Sequence, residues 1–171
     1  MATSAATVLT VEDNPVVRAD LRLVLEDAGF DVCADARDGL EAVELAREHR
    51  PDLILLDLGL PELDGIEATR RILAERDVPI VALTGRSRGL AEEAIAVGAT
   101  SYVLKPFHRE EVVGALLDAL VLRDERVLQQ RRDESLNAIE HLVELLGYPK
   151  DWAVELEEQA FARGHVWTRS C

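Results

Sequence analysis

Between residue 7 and about residue 121, short apolar runs alternate with amphipathic stretches. The runs are Val8–Val11, Phe30–Ala34, Leu53–Leu56, Pro79–Leu83 and Tyr102–Leu104. Each has the length of a strand, and several are apolar throughout, the pattern of a parallel sheet covered on both faces. The stretches between them carry helical periodicity, as where Val17, Leu21, Val24, Leu25 and Ala28 fall on one stripe. Asn14-Pro15 reads as a helix start and Gly29 as a stop. Asp38-Gly39 and Asp64-Gly65 open the second and third helices, Pro51 and Pro79 follow their ends, and Gly98 ends the fourth. Five strands and five helices in alternation, joined by right-handed crossovers, predict an α/β fold with a five-stranded, doubly wound parallel sheet.

After Leu120 the pattern changes. Polar residues fill the chain from Arg123 to Glu134, and Leu136, Ile139, Leu142, Val143 and Leu146 then recur at helical spacing. Gly147-Tyr148-Pro149 breaks that helix, and a second is expected from Asp151 to about Arg163, before Gly164. The chain therefore divides into a disordered N-terminus over residues 1–6, an α/β domain over 7–122 and an α-helical extension over 123–171.

Composition narrows the class. Hydrophobic residues make up 48% of the chain, enough for a core, yet no apolar run approaches the ~20 residues of a membrane span. The opening Met1-Ala2-Thr3-Ser4-Ala5-Ala6 has neither the basic start nor the apolar stretch of a signal peptide. Two cysteines, Cys33 and Cys171, suggest no disulfide framework. A soluble cytoplasmic protein without membrane attachment is expected. The formal net charge is -14, spread as -11 over residues 1–122 and -3 over residues 123–171. Neither part offers the basic face that binding to nucleic-acid phosphates requires, and no DNA partner is expected.

Chemistry gathers at the ends of the apolar runs. In open parallel sheets, functional groups collect beyond the carboxyl ends of the strands. Here the first strand ends at Glu12-Asp13, the third at Asp57, the fourth at Thr84 and the fifth at Lys105-Pro106. A polar residue at one strand end is an ordinary turn former, but this set brings carboxylates, a hydroxyl and an ammonium to one edge. Converging carboxylates repel unless a cation neutralises them, and Mg²⁺ suits a site that shares carboxylate oxygens with phosphate. A carboxylate can attack a phosphoryl group. Asp57, after the most hydrophobic run, is the natural nucleophile, with Glu12 and Asp13 as metal holders. Lys105, the sole lysine in the first 149 residues, offers a compact charge for phosphate.

These residues resemble the receiver domain of bacterial two-component response regulators, of the flavodoxin-like class. The similarity lies in Val11-Glu12-Asp13-Asn14, Leu55 through Gly65, Ala82-Leu83-Thr84-Gly85, and Gly98-Ala99 through Tyr102-Val103-Leu104-Lys105-Pro106-Phe107. The resemblance implies a phosphoprotein of signal transduction that accepts a phosphoryl group on Asp57 from a histidine kinase. It implies Mg²⁺ held by Glu12, Asp13, Asp57 and the Gly59 backbone carbonyl, catalytic support from Lys105 and Thr84, and Thr84 and Tyr102 as switch residues. It also implies a cis peptide before Pro106. Catalysis would extend only to self-phosphorylation and autodephosphorylation, so no enzyme acting on other substrates is expected. Gly59 and Arg86 stand at positions that modulate dephosphorylation in the family. A phosphatase of the haloacid dehalogenase type would want a second aspartate at position 59.

The extension admits two readings. In one, the helical stripe carries a protein partner or self-association. In the other, it binds RNA. Ala138, Leu142, Glu144, Gly147, Ala153 and Leu156 are similar in spacing to the ANTAR module of transcription antiterminators. Ile139 replaces a lysine typical of that module, however, and Glu157-Glu158 fall in a stretch that is usually basic. His141 lacks the surroundings of a phosphotransfer histidine, and Trp152, Phe161 and Trp167 are expected to pack against the neighbouring helix. The protein-binding reading is the one the charge favours, with RNA the alternative.

Overall fold

A computed structural model describes residues 5–85 and 88–145. Strands β1 (Thr7–Val11), β2 (Asp31–Ala36), β3 (Leu53–Asp57), β4 (Ile80–Thr84) and β5 (Ser101–Leu104) alternate with helices α1 (Pro15–Asp27), α2 (Gly39–His49), α3 (Gly65–Glu75), α4 (Arg88–Ala96) and α5 (Arg109–Leu145). All strand pairings are parallel, in the order β2-β1-β3-β4-β5. This is the doubly wound arrangement that the alternation predicts, in the flavodoxin-like form that the resemblance implies. The central strands β3 and β4 are buried at every position, as unbroken apolar runs covered on both faces should be.

Two apolar layers sandwich the sheet. On one face Leu9, Val11, Ile54, Leu56, Ile80 and Ala82 pack under α2, α3 and α4. On the other, Val8, Leu53, Leu55, Val81, Leu83 and Val103 meet Leu21 and Leu25 of α1 and Val112 and Leu116 of α5. The period-two alternation of β1, β3 and β4 thus feeds both layers, while the edge strand β5 adds Val103 to the second alone. Only β2 departs from that alternation. The register with β1 slips between Val8 and Leu9, so that Val8 pairs with Val32 and Leu9 with Ala34. Cys33 is the extra residue of this bulge, and it lets Val32 face one layer while Ala34 and Ala36 face the other.

Helix starts follow the capping residues. Asn14 accepts hydrogen bonds from the Val16 and Val17 amides, Asp38 from Glu41 and Asp64 from Glu67. At the far end, α5 does not stop near Leu120. It runs through the polar stretch Arg123–Glu134 to Leu145. No proline or glycine interrupts that stretch, its Arg, Gln and Glu residues are good helix formers, and Gln129 and Gln130 donate to Asp133 and Glu134 one turn on. By internal contacts the chain divides into two units, residues 1–123 and 124–171. The side chains of Leu142 and Val143, the expected break at 147–149 and the expected helix at 151–163 lie outside the described residues, as do residues 1–4 and Arg86. No helix among the described residues is long and apolar enough to cross a membrane.

Candidate functional site: an acidic cluster bridged by a lysine

The site grows from the carboxyl edge of the sheet. Val11 ends β1, and the Glu12 amide still donates to the Ala36 carbonyl at 3.1 Å, holding Glu12 in line with the strand. Its side chain turns inward and is only 1% exposed. Asp13 follows in the open. Asp57 is the last residue of β3, buried. Carboxylate oxygens of Glu12, Asp13 and Asp57 lie within 4.8 Å of one another.

Lys105 enters from the end of β5. Its amide donates to the Thr84 carbonyl at 2.7 Å, and the peptide to Pro106 is cis. Its ammonium reaches Glu12 Oε2 at 2.6 Å and Asp57 Oδ2 at 2.8 Å. The other Asp57 oxygen, Oδ1, accepts from the Gly59 amide at 3.1 Å. Burial pushes the Glu12 carboxyl above its ordinary value, and the charge of Asp57 adds to this, although the hydrogen bond from Lys105 pulls it down. Burial also works against the Lys105 ammonium, but its bonds to Asp57 and Glu12 outweigh it and leave the group raised. One ammonium therefore bridges two of the three carboxylates but supplies only a single positive charge among them. The donor set of hard carboxylate oxygens with an excess of negative charge fits a magnesium ion.

Close backbone packing fixes the loop after Asp57. A side chain on Gly65 would meet the Asp57 carbonyl at 2.5 Å, and one on Gly39 would overlap the Leu63 carbonyl. Both positions admit glycine alone without movement of the backbone they touch.

Thr84 ends β4 beside this cluster, and its hydroxyl is buried with no hydrogen-bond partner among the described residues. Such a group is costly to leave unmade. Tyr102 on β5 points outward, 42% exposed. Two contributors went unforeseen in the sequence. Arg18 donates to the backbone carbonyls of Glu12 (2.5 Å) and Asp13 (3.3 Å), pinning the acidic loop to α1. The Asn14 amide donates to Glu12 Oε1 at 3.2 Å. Arg18 lies about one turn into α1, a placement that only the fold reveals.

Comparison with known proteins agrees with this geometry. The family model for the response regulator receiver domain matches residues 8–117. The transcriptional regulatory protein PdtaR of Mycobacterium tuberculosis is 43% identical over 110 residues, 64% of this chain and 54% of the relative. The transcriptional regulatory protein PhoP of Escherichia coli is 42% identical over 125 residues, 72% of this chain and 55% of the relative. Among solved structures, a two-component response regulator of the LuxR family from Aurantimonas superposes with a TM-score of 0.65 at 37% identity, covering 69% of this chain and 86% of that one. The chain spans about half the length of the curated relatives it matches. Sheet order, acidic cluster and sequence similarity point one way, and the chain belongs to the response regulator receiver domain family.

Proposed function

We propose that this chain is the response regulator of a two-component phosphorelay, taking a phosphoryl group on Asp57 from a histidine kinase. One observation carries the reading: a buried carboxylate at the end of a central strand, 2.8 Å from a lysine and beside two further carboxylates. An Asp57 oxygen attacks phosphorus, the bond from phosphorus to the donor imidazole nitrogen breaks, and its electron pair stays on the imidazole, which takes up a proton. Glu12, Asp13, Asp57 and the Gly59 carbonyl would hold Mg²⁺. That ion, when bound, supplies charge compensation for the transferred oxygens. Lys105 is already bonded to Asp57 and can move its contact to the phosphoryl group.

Thr84 then gains the acceptor it lacks. A phosphoryl group brings about two negative charges and three acceptor oxygens, and charge-assisted hydrogen bonds contribute about 1.5–3 kcal/mol each. Contacts from Thr84, Lys105 and one amide together reach the ~5.5 kcal/mol that inverts a 1:99 equilibrium. Movement of Thr84 toward the phosphate vacates space for Tyr102, whose ring would turn inward and alter the surface beside β5. Residues 7–122 form the receiver and residues 123–171 the output segment, which acts through protein contacts. The relatives' names, both transcriptional regulatory proteins, accord with a role in gene control.

Intact mass after treatment with acetyl phosphate and Mg²⁺ should rise by one phosphoryl group, and Asp57→Asn should not change. Thr84→Ala should accept phosphate yet leave the NMR signals of Tyr102 near their unphosphorylated positions. A wild-type mass unaltered by the donor refutes the phosphoacceptor reading. A full Tyr102 response in Thr84→Ala refutes the switch.

A further inference from the structure

At the end of the sheet opposite Asp57, the C-terminal ends of α2 and α3 border a cavity of about 130 Å³. Its lining includes Val43, Ile72, Arg47, Arg50, Glu75 and Arg76. In a chain with net charge -14, three arginines around one hollow are unexpected. Arg47 has its counter-ion, for its guanidinium forks onto Glu75 at 2.6 and 2.9 Å. Arg50 and Arg76 do not. Among the described residues neither guanidinium pairs with a carboxylate, and Arg76 Nη1 is buried with no hydrogen-bond partner at all. An arginine cannot escape this by losing its proton. Both arginines line the same cavity, and burial, and next the charge of Arg50, weigh against the Arg76 cation, with the Asp52 carboxylate only partly offsetting them.

The backbone adds a second observation. Arg50 caps α2 in the left-handed conformation, at φ 49° and ψ 54°. Glycine or asparagine usually fills that place, because a Cβ is disfavoured there. A long charged side chain kept at a strained position points to a use for the side chain. Arginines near helix C-termini commonly complement the exposed carbonyls. That ordinary role would have Arg76 Nη1 donate to a carbonyl or meet solvent, and it does neither.

We propose that this cavity binds a small phosphate-bearing anion between the guanidinium groups of Arg50 and Arg76. Guanidinium forks match phosphate oxygens in pairs. A volume that holds several waters accommodates one phosphate group, with any ester substituent projecting outward. An anion there would satisfy the buried nitrogen and relieve the repulsion between the two arginines. The site lies at the N-terminal end of β3 and shares no residue with the acidic cluster, so it would make the receiver responsive to a soluble metabolite independently of Asp57.

The test uses the full chain, titrated at constant ionic strength with inorganic phosphate, a nucleoside monophosphate and, as control, chloride, and followed by NMR. Saturable shifts should centre on Arg50 and Arg76 with either phosphate source. Equal affinities would show that the phosphate group alone is recognised, and tighter monophosphate binding that the ester contributes. Arg50→Gly suits the left-handed backbone, so it should melt no lower than wild type yet bind about tenfold more weakly, the loss of one charge-assisted contact. Asp57→Asn should bind as wild type does. Shifts no different from those with chloride, shifts centred on Lys105, or undiminished binding by a folded Arg50→Gly would overturn the proposal. So would Arg50-dependent capture of single-stranded RNA without any response to phosphate.

Discussion

Glu12 shows how much one buried side chain can constrain. Its carboxyl lies above the ordinary 4.5, first through burial and then through the charge of Asp57. An acid raised in the folded state binds protons that the unfolded chain has released, so its ionisation subtracts stability as pH climbs from 4.5 through the folded value. Without Mg²⁺, Glu12→Gln should therefore equal or exceed the wild type in thermal stability near neutral pH, by up to about 1 kcal/mol, with the gap closing below pH 4.5. Mg²⁺ should lift the wild-type melting temperature, since a ligand bound only to the folded state stabilises it, and should lift the variant much less. A melting series over pH with and without Mg²⁺ checks both parts. A variant clearly less stable than wild type at neutral pH would show that the bond to Lys105 outweighs burial. Carboxylates and a lysine at strand ends were legible from residue order, because strand ends are fixed by apolar runs. The pairing of Lys105 with Glu12 was not legible, since it crosses 93 positions of sequence and depends on the order of strands in the sheet.

At the scale of elements, the opposite edge of the sheet is tied by Asp52. It accepts from the Thr7 amide at 2.9 Å, the Thr7 hydroxyl at 3.0 Å and Arg123 at 2.6 Å, joining the starts of β1 and β3 to α5. Burial opposes its charge, but the bonds from Thr7 and Arg123 prevail and hold its carboxyl below the ordinary 3.8. A carboxylate lowered in this way contributes stability above its unfolded value and loses it as pH falls through the folded one. Asp52→Asn should lower the unfolding free energy by about 1 kcal/mol near neutral pH, a figure reduced because the site is partly solvated. Urea unfolding at several pH values should show the deficit shrinking below pH 3.8. A deficit constant down to acid pH would mean that packing matters there rather than charge. The element count was readable because apolar runs and helical stripes differ in period. Two features escaped that reading. The bulge at Cys33 arises from pairing with β1 and leaves no mark in composition, and α5 crosses a polar stretch that lacks the apolar stripe by which helices were recognised.

For the whole molecule, output turns on what the segment after residue 123 binds. Val127, Leu128 and Leu145 are exposed along α5, and the expected stripe includes Leu136 and Ile139. With a net charge of -3 over residues 123–171, this segment is better suited to a protein surface than to phosphates. Joint substitution of Leu136 and Ile139 by glutamate should abolish self-association or partner capture, read by sedimentation or pull-down, and leave acetyl phosphate labelling of Asp57 intact. Unchanged assembly, together with steeply salt-dependent binding of a structured RNA by the wild type, would favour the antiterminator alternative. The order of the sheet also bears on how this domain is made. β1 precedes the other strands in the chain yet lies between β2 and β3, so its second edge stays open until Leu53–Asp57 has been synthesised. At about 5–20 residues per second, the ribosome leaves that apolar strand half-paired for a few seconds. The nascent chain is therefore open to chaperone capture until Asp57 and the rest of β3 emerge.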